Sequence, residues 1–96
     1  HWDISMIYFK WYSIIEKMQY DNFGKFLRTK REALGVSLNR FALENEIDSA
    51  ALSRIETQKQ GISLSAIAKI ANGYGIAVSS LIKEFEIWKD STIRNV

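Results

Sequence analysis

Residues 38–56 read LNRFALENEIDSAALSRIE, and their spacing decides the fold. Leu38, Phe41 and Ala42 fall on one face of a short helix that Ser37 is placed to cap and that ends near Asn45. After a brief turn, Asp48 or Ser49 starts a second short helix. In it Ala51, Leu52 and Ile55 face inward, while Ser49, Ala50, Ser53 and Arg54 face out. Ala42 sits where the two helices approach most closely, a place that leaves no room for a larger side chain. Ile47, Leu52 and Ile55 follow it by five, ten and thirteen residues and fill the angle between the helices. Two short helices joined by such a turn form the unit that presents a helix to a DNA major groove.

Upstream, a helix is predicted from Asp21 or Asn22 to Leu34, with Phe23, Phe26, Leu27 and Leu34 apolar and Gly35 as its left-handed stop. Downstream, a polar loop over residues 57–61 leads to Ser63, which caps a helix reaching Asn72. Its expected buried stripe is Leu64, Ile67, Ala68, Ile70 and Ala71, and Gly73 and Gly75 end it. Ser79 or Ser80 caps a last helix, in which Leu81, Ile82, Phe85 and Trp88 keep helical spacing as far as about Asp90; residues 91–96 read as frayed. At the other end, Ile4, Ile7, Tyr8, Trp11, Ile14, Ile15 and Met18 recur at steps of three and four, the stripe of a further amphipathic helix capped by Asp3 or Ser5. The reading is all-α: residues 1–20 as an added amphipathic helix, 21–90 as the main domain and 91–96 as a loose end.

Composition narrows the function. Ninety-six residues make one ordinary domain, and 47% apolar with 25% charged residues is the balance of a folded protein. With no cysteine, disulfides, thiol catalysis and cysteine-based metal sites are excluded, and the one histidine is the terminal His1. No Gly-rich phosphate loop or metal-ligand cluster appears, so no cofactor, metal or catalytic residue is assigned. Charged residues interrupt every window of the greasy N-terminal stretch, so no membrane span is read there and a cytoplasmic location is expected. The net charge of +2 is too small to announce a nucleic-acid binder, but residues 23–60 carry seven basic and five acidic side chains and so hold the whole excess.

The stretches FGKFLRTKREALGVS (23–37), LNRFALENEIDSAALSRIE (38–56) and SLSAIAKIANGYGIAVSSLI (63–82) together resemble the Cro/repressor-type helix-turn-helix family, also called the XRE family. LSRIE, Arg31 and the closing GIAVSSLI carry most of the likeness. The resemblance implies a lambda-repressor-like bundle of five helices, to which residues 1–20 add one more. It implies a recognition helix over residues 48–57, with Ser49, Ala50 and Arg54 at base-contacting positions and Ser53 and Thr57 beside them. It implies phosphate contacts from the start of the preceding helix, Ser37 to Asn39, and from Gln58, Lys59 and Gln60, with Thr57 grouped among them. It also implies a structural ion pair between Arg31 and Glu56, expected to be exposed and of small energetic value. Independently of the family, Arg54 is the one long donor on the outer face of its helix and the one residue there able to grip guanine through two bonds. The competing reading makes it a solvated or ion-paired surface arginine.

Three positions depart from the family pattern: Leu38 where glutamine is common, Glu46 where the turn often has glycine, and Gln58 where glycine usually follows the glutamate. The last two either put a non-glycine residue at positive φ, at a cost of about 1 kcal/mol, or shift the turn. Ala50 and Ala51 add to a sparse contact surface.

The resemblance leaves Ile4, Ile7, Tyr8, Trp11 and Ile15 without a place in the core. We expect these residues, with Phe85 and Trp88, to form the interface of a homodimer; the alternative is that the segment folds back as an added core layer. The chain opens on His1 rather than methionine, and Met6 and Met18 are candidate natural starts. The sequence therefore points to a dimer that binds specific double-stranded DNA as a transcriptional regulator, in the first instance a repressor. The alternative is an antitoxin-like or adaptor domain whose partner is a protein such as a toxin.

Overall fold

A computed structural model describes residues 22–94 of the chain, with side chains as far as Ser91. Five helices follow one another: α1 Phe23–Ala33, α2 Leu38–Glu44, α3 Ser49–Glu56, α4 Leu64–Gly73 and α5 Val78–Arg94. They enclose one core of Phe23, Phe26, Leu27, Phe41, Ala42, Leu52, Ile55, Ile62, Ile67, Ile70, Ala71, Leu81 and Phe85. The described residues thus form an all-α globule. The N-terminal helix expected over residues 1–20 lies outside the described residues. Among those described, no helix is long and apolar enough to cross a membrane.

Ser37 and Ser63 cap their helices as the spacing predicts, and of the two candidates Asp48 and Ser49 it is Asp48 that caps α3. The side chains of Ser37, Asp48 and Ser63 accept hydrogen bonds from the backbone N–H groups of Arg40, Ala51 and Ala66, each satisfying a donor that the first turn leaves without a partner. Asn22 occupies the N-cap of α1 with φ 66° and makes no side-chain cap bond. At the far ends, Gly35 has φ 70° and bonds back to the Glu32 carbonyl, closing α1 in the left-handed turn expected of it.

Several expectations need correction. Leu34 is the C-cap of α1, beyond the helical stripe, and is 61% exposed. Leu64, placed in the buried stripe of α4, is 64% exposed because it is the first helical residue and precedes the turn that meets the core. Ala68 is also exposed: the inward face of α4 is Ile67, Ile70 and Ala71, and Ala68 lies about a 100° step from Ile67. Gly73 is still helical, and Gly75, at φ 70°, makes the reversal. Ser79 and Ser80 do not cap α5, which begins at Val78 and continues to Arg94, past the expected end near Asp90.

The aromatic core settles the place of α5. Phe85 is only 1% exposed, with its ring edge-on to Phe23 at 5.0 Å and 5.5 Å from Phe26. It therefore serves this chain's own core, which corrects its expected place on the surface for a second copy. Helical spacing identified its face correctly, but that face meets α1. Trp88 is half-buried, 5.7 Å from Phe26, and keeps an outer side beside the exposed Ile87.

Candidate nucleic-acid interface

α2 and α3 pack on each other through Ala42 and Leu52, both 1% exposed, with Ile55 buried and Ile47 packed against them. Ala42 is the small residue that lets the two backbones cross closely. The turn between the helices closes by two bonds, Ile47 N–H to the Ala42 carbonyl at 2.9 Å and Glu46 N–H to the Leu43 carbonyl at 3.5 Å. Glu46 sits at φ 56°, the left-handed position where glycine would be unstrained. Lys69 of α4 reaches across to donate to the Glu46 carbonyl at 3.0 Å and holds the turn against the body of the protein.

The same device ends α3. Gln58 has φ 62°, its N–H bonds to the Ile55 carbonyl at 3.2 Å, and the Lys59 N–H bonds to the Arg54 carbonyl at 2.8 Å. The side-chain oxygen of Gln58 then accepts the Gly24 N–H at 2.7 Å, satisfying a free donor at the start of α1. Gly24 is required there, since a Cβ would collide with the Ile55 carbonyl. The end of α3 is thereby stitched to the beginning of α1. Residue spacing gives no sign of this stitch, which spans 34 residues; the one local clue is a glycine inside a helix, a costly choice unless something packs close.

Behind α3 lies Arg31. Its Nε and one terminal nitrogen donate to the two carboxylate oxygens of Glu56, both at 2.8 Å, and its other terminal nitrogen donates to the Val36 carbonyl at 2.8 Å. The pair joins α1 to the last residue of α3 as the family resemblance implied. It is not the exposed pair expected, however: the two side chains are 9% and 3% exposed. The bond to Glu56 raises the guanidinium's already high pKa. Breaking a pair like this strands a buried charge.

The outer face of α3 carries the expected contact residues. Ser49, Ala50 and Arg54 are exposed and Ser53 is half-buried. Thr57, just after the helix, donates its hydroxyl to the Ser53 carbonyl at 2.8 Å. Among the described residues nothing walls in or ion-pairs the Arg54 side chain: its Nε donates to the Gln60 side-chain oxygen at 2.7 Å, and it remains exposed. Lys59 and Gln60 are exposed on the loop that follows, which with Gln58, Gly61 and the start of α1 lines a shallow cleft. Ser37 and Asn39 lie exposed at the start of α2. Arg40, which sequence reasoning left unassigned, is exposed on α2 with its Nε donating to Glu44 at 2.8 Å. The structure therefore gathers on one helix and its adjoining loop an arginine, a lysine, two carboxamides and hydroxyls, donors suited to phosphates and base edges.

Comparison with known proteins agrees with this construction. The family model described as a helix-turn-helix domain matches residues 22–80, which takes in α1 to α4 and the first residues of α5. The chain belongs to that helix-turn-helix family and carries a DNA-binding domain of the Cro/repressor type. Among curated proteins it is similar to Control protein C.MunI from Mycoplasma sp, with 31% identity over 70 residues that cover 73% of this chain and 92% of that protein. No solved structure matches it.

Proposed function

We propose that the protein is a transcriptional regulator, acting in the first instance as a repressor, that binds specific double-stranded DNA as a dimer with residues 48–57 in the major groove. The observation that carries this reading is Arg54: an exposed guanidinium on the outer face of a helix whose inner face is locked to the core. Its terminal nitrogens take the two acceptors of a guanine in this reading, a contact worth about 1–3 kcal/mol of discrimination. Ser49 and Ala50 supply a hydroxyl and a methyl to neighbouring bases. Ser37, Asn39, Thr57, Gln58, Lys59 and Gln60 meet the phosphates that fix the register. A relative named as a control protein supports a regulatory role, and DNA as partner puts the site of action inside the cell.

So few base contacts give a weak single module, which is why the reading includes a dimer. Two recognition helices about 34 Å apart read a palindromic site and combine their affinities. Trp88 remains on the proposed interface with Ile4, Ile7, Tyr8, Trp11 and Ile15, which lie outside the described residues; Phe85 does not. The sparse outer face of α3 favours a second reading, an antitoxin-like or adaptor domain with a protein partner such as a toxin. One titration separates the two. Duplexes selected from a random pool should bind saturably, and log K should fall with log salt at about 0.9 per phosphate contact. Absence of saturable binding at low salt would overturn the DNA reading and leave the adaptor.

A further inference from the structure

Arginine is a flexible side chain with five donors, and its use as a base reader depends on where its fork is aimed before DNA arrives. In this protein the aim is built into the loop after α3. The left-handed Gln58 turns the chain so that the Lys59 and Gln60 N–H groups both converge on the Arg54 carbonyl, at 2.8 and 3.2 Å. The backbone of Gln60 is thereby fixed relative to that of Arg54, six residues earlier, and its side-chain oxygen meets the Arg54 Nε at 2.7 Å. The contact has one chemical sense, because a guanidinium only donates and the carboxamide must present its oxygen. The loop itself is anchored to α1 through the Gln58 bond to the Gly24 N–H. From the start of α1 to the guanidinium the chain of bonds is continuous.

We infer that Gln60 is a positioning residue for base recognition: by engaging Nε it fixes the plane of the Arg54 guanidinium and leaves the two terminal nitrogens as a preset bidentate edge. The inference rests on the DNA-binding reading above and deepens it, since it makes Gln60 act on specificity through Arg54 and not only as a neutral contact to phosphate. A site that matches a preset edge spares the entropy of ordering the arginine on binding. A site that needs another arginine orientation must first break the Gln60 bond, so the same contact adds discrimination against wrong bases.

The test is a double-mutant cycle in the full chain, read as the ratio of affinities for a selected duplex and a scrambled one of equal length, at several salt concentrations. Arg54→Ala should lower the ratio about tenfold to a hundredfold. Gln60→Met keeps the length of the side chain and removes the acceptor; it should lower the ratio roughly threefold to tenfold with an unchanged salt slope, and should have no further effect in the Arg54→Ala background. Gln60→Glu restores an acceptor and adds a charge, so it should keep the ratio while weakening both duplexes together. If Arg54→Ala lowers the ratio and Gln60→Met leaves it alone, the positioning role is wrong while the DNA reading stands. Equal losses from Gln60→Met with and without Arg54 would also sink it, because Gln60 would then act independently. A ratio unmoved by Arg54→Ala would remove both. Gln60 is exposed, so an unchanged melting temperature serves as the check that each variant folds.

Discussion

Two arginines, one on each side of α3, are each fixed by a short hydrogen bond, and they have opposite uses. Arg31, on the inner side, commits both edges of its guanidinium to Glu56 and Val36 and is buried beneath the helix. Arg54, on the outer side, commits Nε to Gln60 and keeps its fork toward solvent. A guanidinium with all three nitrogens engaged holds structure, whereas one engaged through Nε alone is restrained and still has its terminal donors to offer. The inner side decides whether α3 stays in place, and the outer side decides what α3 reads.

The largest effect should come from breaking the inner side. Glu56→Ala leaves the Arg31 charge buried without its partner and should cost about 3–5 kcal/mol, a fall in melting temperature of roughly 12 °C or more. Replacing both residues, as Arg31→Met with Glu56→Leu, should recover most of that loss, because the penalty lies in the stranded charge. Calorimetry of the three proteins checks this; a double variant as unstable as the single one would show that the pair stabilises by more than mutual neutralisation. Arg54→Ala reverses the pattern. Its stability should stay within about 0.5 kcal/mol of the parent, while discrimination between cognate and scrambled duplexes falls by about 1–3 kcal/mol. Lys59→Ala should instead weaken both duplexes alike and flatten the salt slope by about one unit. Loss of specificity from Lys59→Ala would blur the division between reading and positioning.

The two sides differ too in how much of them the sequence disclosed. Local spacing was enough for the caps at Ser37, Asp48 and Ser63, the small residue at Ala42 and the outward set on α3, since each depends on neighbours within a turn or two. The departure from glycine at Glu46 and Gln58 left a positive φ or a shifted turn, and the backbone takes the positive φ at both. What spacing could not supply was the identity of the surface each face meets. Arg31 and Glu56 pair across 25 residues, and only the packing of α1 on α3 makes their pair buried. Phe85 lies on the correct helical stripe but turns to Phe23 and Phe26 and not to a second chain. The Gln58 bond to Gly24 and the Gln60 bond to Arg54 arise from a loop whose path depends on a helix distant in sequence.

Gln58 belongs to both sides, and comparison with Glu46 should expose its double duty. Both are non-glycine residues held at left-handed φ, a conformation that costs roughly 1 kcal/mol or more. The Glu46 contact that matters uses its backbone carbonyl, which any residue supplies, so Glu46→Gly should stabilise the protein by up to about 1 kcal/mol. Gln58→Gly relieves the same strain but loses the bond to Gly24, about 1 kcal/mol, and should come out near zero. Denaturant titration of both variants decides it. A clear gain from Gln58→Gly would mean that the stitch to α1 contributes little.

The smallest effect at neutral pH, and the one that separates the two sides by chemistry alone, concerns Tyr74. Its ring packs 4.9 Å from Phe41 and its hydroxyl lies 3.4 Å from the Leu27 carbonyl. Burial pushes its phenol above the ordinary value, the nearby Glu56 carboxylate pushes it further, and Arg31 opposes them weakly. The folded chain therefore holds this proton more tightly than the unfolded chain, whose tyrosine releases it near pH 10. Stability from this group is complete below about pH 10 and is lost as the pH rises beyond it. Tyr74→Phe should match the parent at pH 7, apart from a weak hydrogen bond, and become the more stable protein near pH 11. The Gln60 side of the outer contact brings no such dependence, since a carboxamide does not titrate. Unfolding curves of the two proteins at pH 8, 10 and 11 should diverge only at the alkaline end. Parallel curves would mean that the phenol ionises freely, and that the space behind α3 is open to water.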